Sequence, residues 1–507
     1  HRAQRDQIKI DRNYFEDLVV EAIDATKTAI RMLKENISPR LSDVRVIVGT
    51  EFEQWNAVQC VLNSANSKCV LLSAFTHSDF ADEAAVRISD SLVKDCELLL
   101  LSGEPDRINE PEFAARTEKY GQDLRKHGLP VGVRIEPTRR ASHAKFAISD
   151  SGMVWIGSCN MLSAAPTSWV LESGLLIESS GVAAAIINHV LEEDWLSEKA
   201  AKHLIAIGEA LPEDNGLRVK RDRIKALKRR IKKISSYIEK EVNDRLFLNT
   251  VINMLDENLA SPLREISEYT QWSLVKTEQH RPAMLDLIRQ SRKRIVIGSD
   301  AVRKGGLDLS TIRDISSRPR DAENRASKFT VQIFWGRQDP GFVRAGDEEI
   351  EDARSRIELL KEEVWKQDDR SHRGSLRSKF LPLSLDPMIT HCKFISIDDE
   401  RLLLTSDNLL SFSKDDEGWD SDARELGILI DNPRISRIMR GELELLTPTC
   451  RDHWGRGRWH AAVGSAIDEC GGHRVPIEQV MTALIERVRG INQLSEDWFA
   501  MIENMME

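Results

Sequence analysis

The sequence contains two copies of one pattern, and this internal repeat constrains the fold more than any other feature. The first copy is HAKFAISDSGMVWIGSCN at residues 143–160, and the second is HCKFISIDDERLLLTSDN at residues 391–408. Each copy has His-x-Lys, an Asp five positions after the Lys, a turn, an apolar segment and Ser-x-Asn. Because two copies of equal length lie 248 residues apart, the pattern predicts duplicated lobes.

Each copy follows a series of short apolar segments that alternate with helical segments. The predicted strands are VRVIVG, CVLLSAF, CELLLLSGE and VGVRIEP before the first copy, and RIVIGSD, FTVQIFWG and KFLPLSL before the second. Such alternation is typical of α/β sheets covered on both faces. We therefore predict an α/β fold in which two lobes, each a mixed β-sheet flanked by helices, form a pseudo-dimer.

At 507 residues the chain is too long for one compact core. The predicted segments are an N-terminal helical segment at 1–44 with an amphipathic helix at 13–37, lobe one at 45–180, a helical and basic linker at 181–284, lobe two at 285–432, and a helical tail at 433–507. Within the linker, Ile and Leu recur at steps of three and four, which is typical of a coiled-coil helix.

The composition of the chain argues against some classes of protein. The net charge is −10, from 72 basic and 82 acidic residues, so a polyanion would have to be bound locally rather than by a basic protein as a whole. No apolar run is long enough for a membrane span and no leader is visible, so we expect no membrane association. Seven scattered cysteines argue against a disulfide framework and favour the cytoplasm.

The motif side chains have the properties of a phosphoryl-transfer site. If the lobes face each other, two imidazoles, two ammonium groups and two amides meet, from His143, Lys145, Asn160, His391, Lys393 and Asn408. One histidine can attack phosphorus to form a phosphohistidine while the other protonates the leaving oxygen. Because the lysines supply the positive charge that a metal ion would otherwise bring, we predict no cofactor.

The twice-present pattern HxKxxxxD with (G/S/T)SxN resembles the phospholipase D superfamily, often called the HKD family. The resemblance covers roughly 45–180 and 285–432, and it implies two phospholipase D-like lobes with phosphodiesterase activity. It leaves the helical linker and the tail unexplained.

The resemblance also implies roles for further residues. In that family a carboxylate after the Asn orients the catalytic imidazole, and Glu172 and Glu425 stand at the matching positions. The motif serines, Ser158 and Ser406, complete the candidate catalytic set together with the motif aspartates, Asp150 and Asp398. These aspartates usually support structure in the family rather than react.

The family includes phospholipases, cardiolipin and phosphatidylserine synthases, nucleases and tyrosyl-DNA phosphodiesterases. A cardiolipin synthase is disfavoured because no membrane helix is visible in this sequence. A secreted phospholipase is disfavoured because a leader and paired cysteines are missing. A tyrosyl-DNA phosphodiesterase is disfavoured because that class lacks the motif Asp, which both copies here contain. We therefore expect a nuclease that cleaves DNA. A cytosolic lipid phosphodiesterase or transphosphatidylase remains an alternative, as does a non-catalytic DNA-binding scaffold.

Local basic clusters are consistent with a DNA substrate, because such loops can follow a phosphate backbone. The candidate contacts are Arg313, Arg318, Arg320, Arg370, Arg373, Arg377, Lys228, Arg229 and Arg230. A solvated helix face explains the basic run at 218–233 equally well, and a flexible surface explains the loop clusters equally well. Since the chain is acidic and has no GxxxxGK[ST] loop, we expect oligomerisation or an ATPase or helicase partner to present the DNA, as in bacterial defence or DNA-processing systems.

The tail contains two CxxH groups whose spacing could hold zinc. They are formed by Cys450, His453, Cys470 and His473. Two ordinary helices joined by a Gly-rich turn are the favoured interpretation of this region, so we do not expect a metal site there.

Overall fold

The computed structural model describes the two repeated regions of the chain. The described residues are 39–103, 110–163, 170–213, 229, 270–321, 329–336, 351–360, 362–363, 390–411 and 423–446. The predicted helix at 13–37, the coiled-coil segment, the strand KFLPLSL and both CxxH groups lie outside these ranges. None of the helices within the ranges combines the length and the apolar character that a membrane crossing requires.

The first sheet has seven strands in the order β1-β7-β6-β5-β2-β3-β4. They are β1 (Val44–Gly49), β2 (Lys68–Ser73), β3 (Glu97–Ser102), β4 (Val133–Pro137), β5 (Phe146–Ser149), β6 (Met153–Gly157) and β7 (Glu172–Glu178). The pairs β2–β3 and β3–β4 are parallel and the others antiparallel. Its helices are α1 (Glu51–Ser64), α2 (Ala81–Ser91), α3 (Glu110–Lys126), α4 (Ser180–Glu192) and α5 (Glu198–Ala210).

The second sheet repeats this arrangement with six strands in the order β10-β9-β11-β12-β13-β8. They are β8 (Gln271–Lys276), β9 (Arg294–Ser299), β10 (Thr330–Trp335), β11 (Phe394–Ile397), β12 (Arg401–Thr405) and β13 (Leu426–Asp431). The flanking helices are α6 (His280–Gln290), α7 (Leu309–Asp321), a helical segment at 351–360, and α8 (Pro433–Leu446). The α/β class with two mixed sheets is thus confirmed.

One strand contradicts the prediction of a helical linker at 181–284. Strand β8 lies within that range and pairs antiparallel with β13 at the edge of the second sheet. Its sequence QWSLVK has only two deeply buried side chains, Trp272 and Val275. A short edge strand with few buried apolar residues gives little periodic signal, which is why the sequence pattern missed it.

Helix starts are fixed by local side-chain hydrogen bonds. Ser179 and Ser197 accept hydrogen bonds from the backbone N–H groups of Val182 and Ala200, and so cap α4 and α5. These helices lie against the inner face of the first sheet, where their apolar side chains join its core.

A single apolar core joins the two lobes. It includes Phe146 and Ile156 from the first sheet, Phe394 and Leu404 from the second, and side chains of α4, α5 and α8. Helix α8, which follows the second sheet, packs against β1 of the first. Burial of apolar surface therefore holds the lobes against each other as well as stabilising each one.

The motif aspartates hold backbone turns. Asp150 accepts hydrogen bonds from the N–H groups of Asn66, Ser67 and Lys68, at 2.7 to 3.0 Å, and from the Ser67 hydroxyl. In lobe two Asp398 accepts from three successive N–H groups, those of residues 292–294, at 2.6 to 2.8 Å. Both aspartates therefore anchor the start of the strand next to the motif strand.

We predict that Asp150→Ala destabilises the protein without altering the candidate site directly. The substitution leaves the N–H groups of Asn66, Ser67 and Lys68 without their acceptor, which costs about 2–4 kcal/mol. Urea denaturation should therefore show a lower midpoint. The control is Asp286→Ala, at an exposed aspartate that lies 3.7 Å from Arg289. Equal midpoints for the two variants would contradict this role.

Candidate active site

The two His-x-Lys segments lie where the lobes meet, each just before its strand rather than within it. The N–H groups of His143 and Ala144 donate to the carbonyl of Arg424, at 2.8 and 3.2 Å. In the reverse direction the N–H of His391 donates to the carbonyl of Leu171 at 2.7 Å. Each motif is therefore held by the backbone of the opposite lobe.

Each imidazole is paired with the glutamate of the other lobe. His143 Nδ1 lies 3.0 Å from Glu425 Oε1, and His391 Nδ1 lies 2.9 Å from Glu172 Oε1 and 3.0 Å from Glu172 Oε2. The resemblance to the phospholipase D superfamily implied these glutamates, but not that the pairs cross between lobes. Since a carboxylate can only accept, Nδ1 carries the proton in each ring, and a neutral ring has its lone pair on Nε2.

The motif serines hold the glutamates. The Ser158 hydroxyl donates to Glu172 Oε2, and the Ser406 hydroxyl donates to Glu425 Oε2. The N–H of Leu426 in turn donates to the Ser406 hydroxyl at 3.0 Å. A serine of one lobe thus fixes the glutamate that orients the histidine of the other, as second-layer partners do in many catalytic sites.

Both motif lysines are fully buried. Lys145 Nζ donates to the carbonyl of His143 at 2.7 Å, and Lys393 Nζ lies 3.5 Å from the carbonyl of His391. Burial, together with repulsion from Lys393, lowers the pKa of Lys145 to about 7, against the attraction of Glu425 and Glu172. The two ammonium groups are therefore close enough to repel each other, and an anion would relieve that repulsion.

The histidine of lobe one and its glutamate have opposite electrostatic roles. Burial and the charge of Lys145 lower the pKa of His143, against the opposing effect of Glu425. Burial alone would raise the pKa of Glu425, but the attraction of His143, its hydrogen bond and Lys145 lower it to about 2. At neutral pH the pair is thus a neutral imidazole beside an ionised carboxylate, which suits a nucleophile or a proton acceptor.

The motif amides each have an unpaired oxygen. The side-chain oxygens of Asn160 and Asn408 are buried, and neither has a hydrogen-bond partner among the described residues. Buried polar atoms are nearly always paired in native proteins. Since a 180° turn of the side chain exchanges the amide oxygen and nitrogen, this motif position in both lobes can instead present an N–H donor to a bound anion.

One acidic side chain in the site was missed by sequence reasoning. Asp300 Oδ2 lies 3.6 Å from His391 Nε2 and 3.9 Å from Lys393 Nζ. Asp300 directly follows β9, so the signal that could have found it is a charged residue at the end of a buried strand.

Most of the residues predicted to contact nucleic acid lie outside the described ranges. Arg313 is an exposed residue of α7, and Arg229 is also exposed. Lys228, Arg230, Arg370, Arg373 and Arg377 lie outside the described ranges, as do the four CxxH residues, and the side chains of Arg318 and Arg320 are not described. Within the described ranges no group of three or more His, Cys, Asp or Glu side chains is arranged to hold a metal ion.

Comparison with known proteins gives one family match. Residues 5–195 match the family model described as cardiolipin synthase, PLD-like domain. No curated protein matches the sequence.

Three solved structures are similar at low identity. Phosphatidylserine synthase from Haemophilus influenzae Rd KW20 is 13% identical over 83% of this chain and 91% of its own, with a TM-score of 0.47. Polyphosphate kinase from Porphyromonas gingivalis is 10% identical over 79% and 50%, with a TM-score of 0.36. Nuc, a phospholipase D family member from Salmonella typhimurium, is 12% identical over 38% and 95%, with a TM-score of 0.20.

We predict that the site binds a divalent anion more weakly as the pH rises above about 7. Lys145, whose pKa is lowered to about 7, must be protonated to attract the anion, so affinity should be full below that pH. Above it the affinity should fall by up to about tenfold per pH unit, the limit for one linked proton. Sulfate is the probe, because its charge does not change between pH 6 and 9, and isothermal titration calorimetry measures its dissociation constant.

The matched variants are Lys145→Met and Lys199→Met, the latter at an exposed lysine of α5. The first should weaken binding and flatten the pH dependence, whereas the second should behave like the unaltered protein. An unchanged pH slope in Lys145→Met would show that another group is responsible.

Proposed function

We propose that the chain is a phosphodiesterase of the phospholipase D superfamily, whose PLD-like family model matches residues 5–195, and that it cleaves DNA through a phosphohistidine intermediate. The observation that carries this proposal is the pair of crossed contacts, His143 with Glu425 and His391 with Glu172. A carboxylate holds Nδ1 of each imidazole, so Nε2 is the ring nitrogen that reacts in this proposal, and both rings belong to one site between the lobes.

The reaction proceeds in two displacements. In the first, Nε2 of one histidine bonds to phosphorus while the other histidine gives its proton to the leaving oxygen. In the second, water attacks phosphorus, the P–N bond breaks, and the second histidine takes the proton from water. Lys145 and Lys393 stabilise the charge on the non-bridging oxygens, and the amides of Asn160 and Asn408 donate hydrogen bonds to them.

Several basic residues stand close in sequence to the motif segments or to the strand ends beside them, which supports a polyanionic substrate. Arg139 and Arg140 are exposed and lie four and three residues before His143. Lys304 is exposed in the loop that follows β9, next to Arg303, whose N–H donates to the carbonyl of Leu410 just after the second motif. Basic side chains near a phosphodiester site can contact phosphates next to the one that reacts.

The net negative charge of the chain favours a mechanism in which another protein or a second copy of the chain assists DNA binding. At −10 overall, the protein repels DNA outside its local basic patches. We propose that an ATPase or helicase partner, or oligomerisation, brings DNA to the site, in a bacterial defence or DNA-processing system.

A second candidate function is a lipid phosphodiesterase or transphosphatidylase. The matched family model carries the description cardiolipin synthase, PLD-like domain, which favours this candidate. The same two displacements would serve, with a lipid alcohol instead of water as the second attacking group.

We predict that the protein cleaves DNA in the presence of EDTA. His143→Ala or His391→Ala should lower the cleavage rate by at least about 10³-fold. Parallel reactions contain labelled single-stranded DNA, double-stranded DNA, RNA or phosphatidylcholine vesicles with a primary alcohol. His127→Ala is the matched control, at an exposed histidine after α3, and should retain full activity.

The outcomes separate the candidates. Cleavage of DNA alone supports the nuclease, whereas transfer to the alcohol without DNA cleavage replaces it by the lipid enzyme. Binding of DNA without cleavage or a trapped phosphohistidine would make the protein a scaffold. Cleavage that survives both histidine substitutions would place the chemistry at another site.

A further inference from the structure

A pair of hydrogen bonds fixes the end of β9, where Asp300 follows the strand. The Ser299 hydroxyl donates to the carbonyl of Ala301 at 2.8 Å and accepts from the N–H of Leu410 at 3.3 Å. Leu410 stands two positions after the motif Asn408, so this turn connects the strand end to the second motif. Asp300 therefore has a fixed place beside that motif.

The backbone of Asp300 is also tied to the start of the second motif. Its carbonyl accepts a hydrogen bond from the N–H of Gly336 at 3.1 Å, and the Gly336 carbonyl accepts one from the N–H of Thr390 at 3.0 Å. Thr390 directly precedes His391. Backbone hydrogen bonds on two sides thus fix Asp300 relative to the segment that carries this histidine.

The turn itself does not need an acidic side chain. At the end of β2 the Ser73 hydroxyl makes the same pair of bonds, donating to the carbonyl of Phe75 at 2.8 Å and accepting from the N–H of Leu162 at 3.3 Å. The residue that takes the place of Asp300 in this turn is Ala74. Since the turn forms with alanine, the carboxylate at 300 is not explained by the backbone structure.

The carboxylate of Asp300 faces the groups that would meet a substrate. Its Oδ2 lies 3.6 Å from His391 Nε2 and 3.9 Å from Lys393 Nζ, both too long for a direct hydrogen bond. Its Oδ1 is buried without a hydrogen-bond partner among the described residues. Glu172 differs in both respects, because it lies at Nδ1 of the same ring and accepts a hydrogen bond from Ser158.

We propose that Asp300 determines specificity, because its negative charge makes the site select phosphodiesters, which carry one negative charge, over phosphomonoesters, which carry close to two near neutral pH. This inference deepens the proposed function and rests on it. The chain would then cleave phosphodiesters within a polymer and leave terminal phosphates in place.

The distances put a bound anion within the field of Asp300. His391 and Lys393 are both buried, and an anion about 3 Å from either of them lies within about 7 Å of Asp300 Oδ2. Coulomb repulsion is proportional to the product of the two charges, so a dianion is repelled twice as strongly as a monoanion at the same place. Salt screens charges weakly where side chains are buried, so the difference persists in solution.

Repulsion of the wrong ligand is a common source of specificity. The same repulsion acts on a product that ends in a phosphomonoester, because that product carries a second negative charge. Asp300 would therefore favour release of the product as well as exclusion of monoester substrates.

Asp300 also lies near Lys393, and a carboxylate there could instead serve to hold that ammonium group in its charged form. The two roles have opposite consequences for anion binding. If Asp300 repels the ligand, its removal strengthens the binding of anions, and of dianions most. If it serves Lys393, its removal weakens the binding of every anion.

The experiment compares sulfate, a dianion, with methyl sulfate, a monoanion, by isothermal titration calorimetry at about pH 6. We expect Asp300→Asn to lower the dissociation constant of methyl sulfate about threefold and that of sulfate about tenfold, because doubling the ligand charge squares the ratio. Asp300→Ala, with the residue of the equivalent turn, should behave in the same way. Asp300→Glu keeps the charge and should keep the preference of the unaltered protein.

The matched control is Asp314→Asn, at an aspartate of α7 that pairs with Arg289, and it should leave both dissociation constants unchanged. Hydrolysis of 4-nitrophenyl phosphate and of bis(4-nitrophenyl) phosphate provides a second readout. The ratio of kcat/KM for the monoester to that for the diester should rise at least about threefold in Asp300→Asn.

The outcomes separate this inference from the proposed function. Equal changes for the two anions, or weaker binding of both, in Asp300→Asn would overturn the inference and leave the proposed function intact. The expected shifts in anion binding without any phosphodiester cleavage would overturn the proposed function and keep the selection by charge. Absence of binding of either anion to the unaltered protein and to Asp300→Asn would overturn both.

Discussion

The crossed contacts between imidazole and carboxylate are the constraint on which the rest of the site depends. Glu425 orients His143 at 3.0 Å, and Glu172 orients His391 at 2.9 Å. Neither lobe therefore contains both a motif histidine and the glutamate that orients it. The shared apolar core and the backbone bonds at the motif segments hold the lobes in the position that these contacts need. The site is therefore complete only where the two lobes pack against each other.

Burial makes this arrangement electrostatically demanding. Lys145 and Lys393 are both fully buried, and buried charges are tolerated only when partners or a ligand compensate them. The glutamates partly compensate, yet the pKa of Lys145 is lowered to about 7, so the site without its ligand is short of negative charge near this lysine. A phosphodiester supplies that charge, and binding it would draw the lysine back to its protonated form.

The sequence repeat predicted the two lobes and the motif residues, because each of these repeats along the chain, and the resemblance to the phospholipase D superfamily implied the pair of glutamates. It could not predict the crossing, since Glu172 follows the motif of its own lobe and only the packing of the lobes brings it to His391. Asp300 was missed for the opposite reason, because it breaks the repeat at a position outside the motif. Strand β8 was missed because edge position and sparse apolar residues leave little periodicity in QWSLVK.

The most direct test of the crossed arrangement is the NMR signal of the histidine Nδ1 protons in protein with ¹⁵N-labelled histidine. A proton shared with a carboxylate resonates far downfield, and replacement by a neutral amide shifts it. Glu425→Gln should shift the signal of His143 and leave that of His391 in place, and Glu172→Gln should do the reverse. If each substitution instead shifts the histidine of its own lobe, the lobes do not share one site.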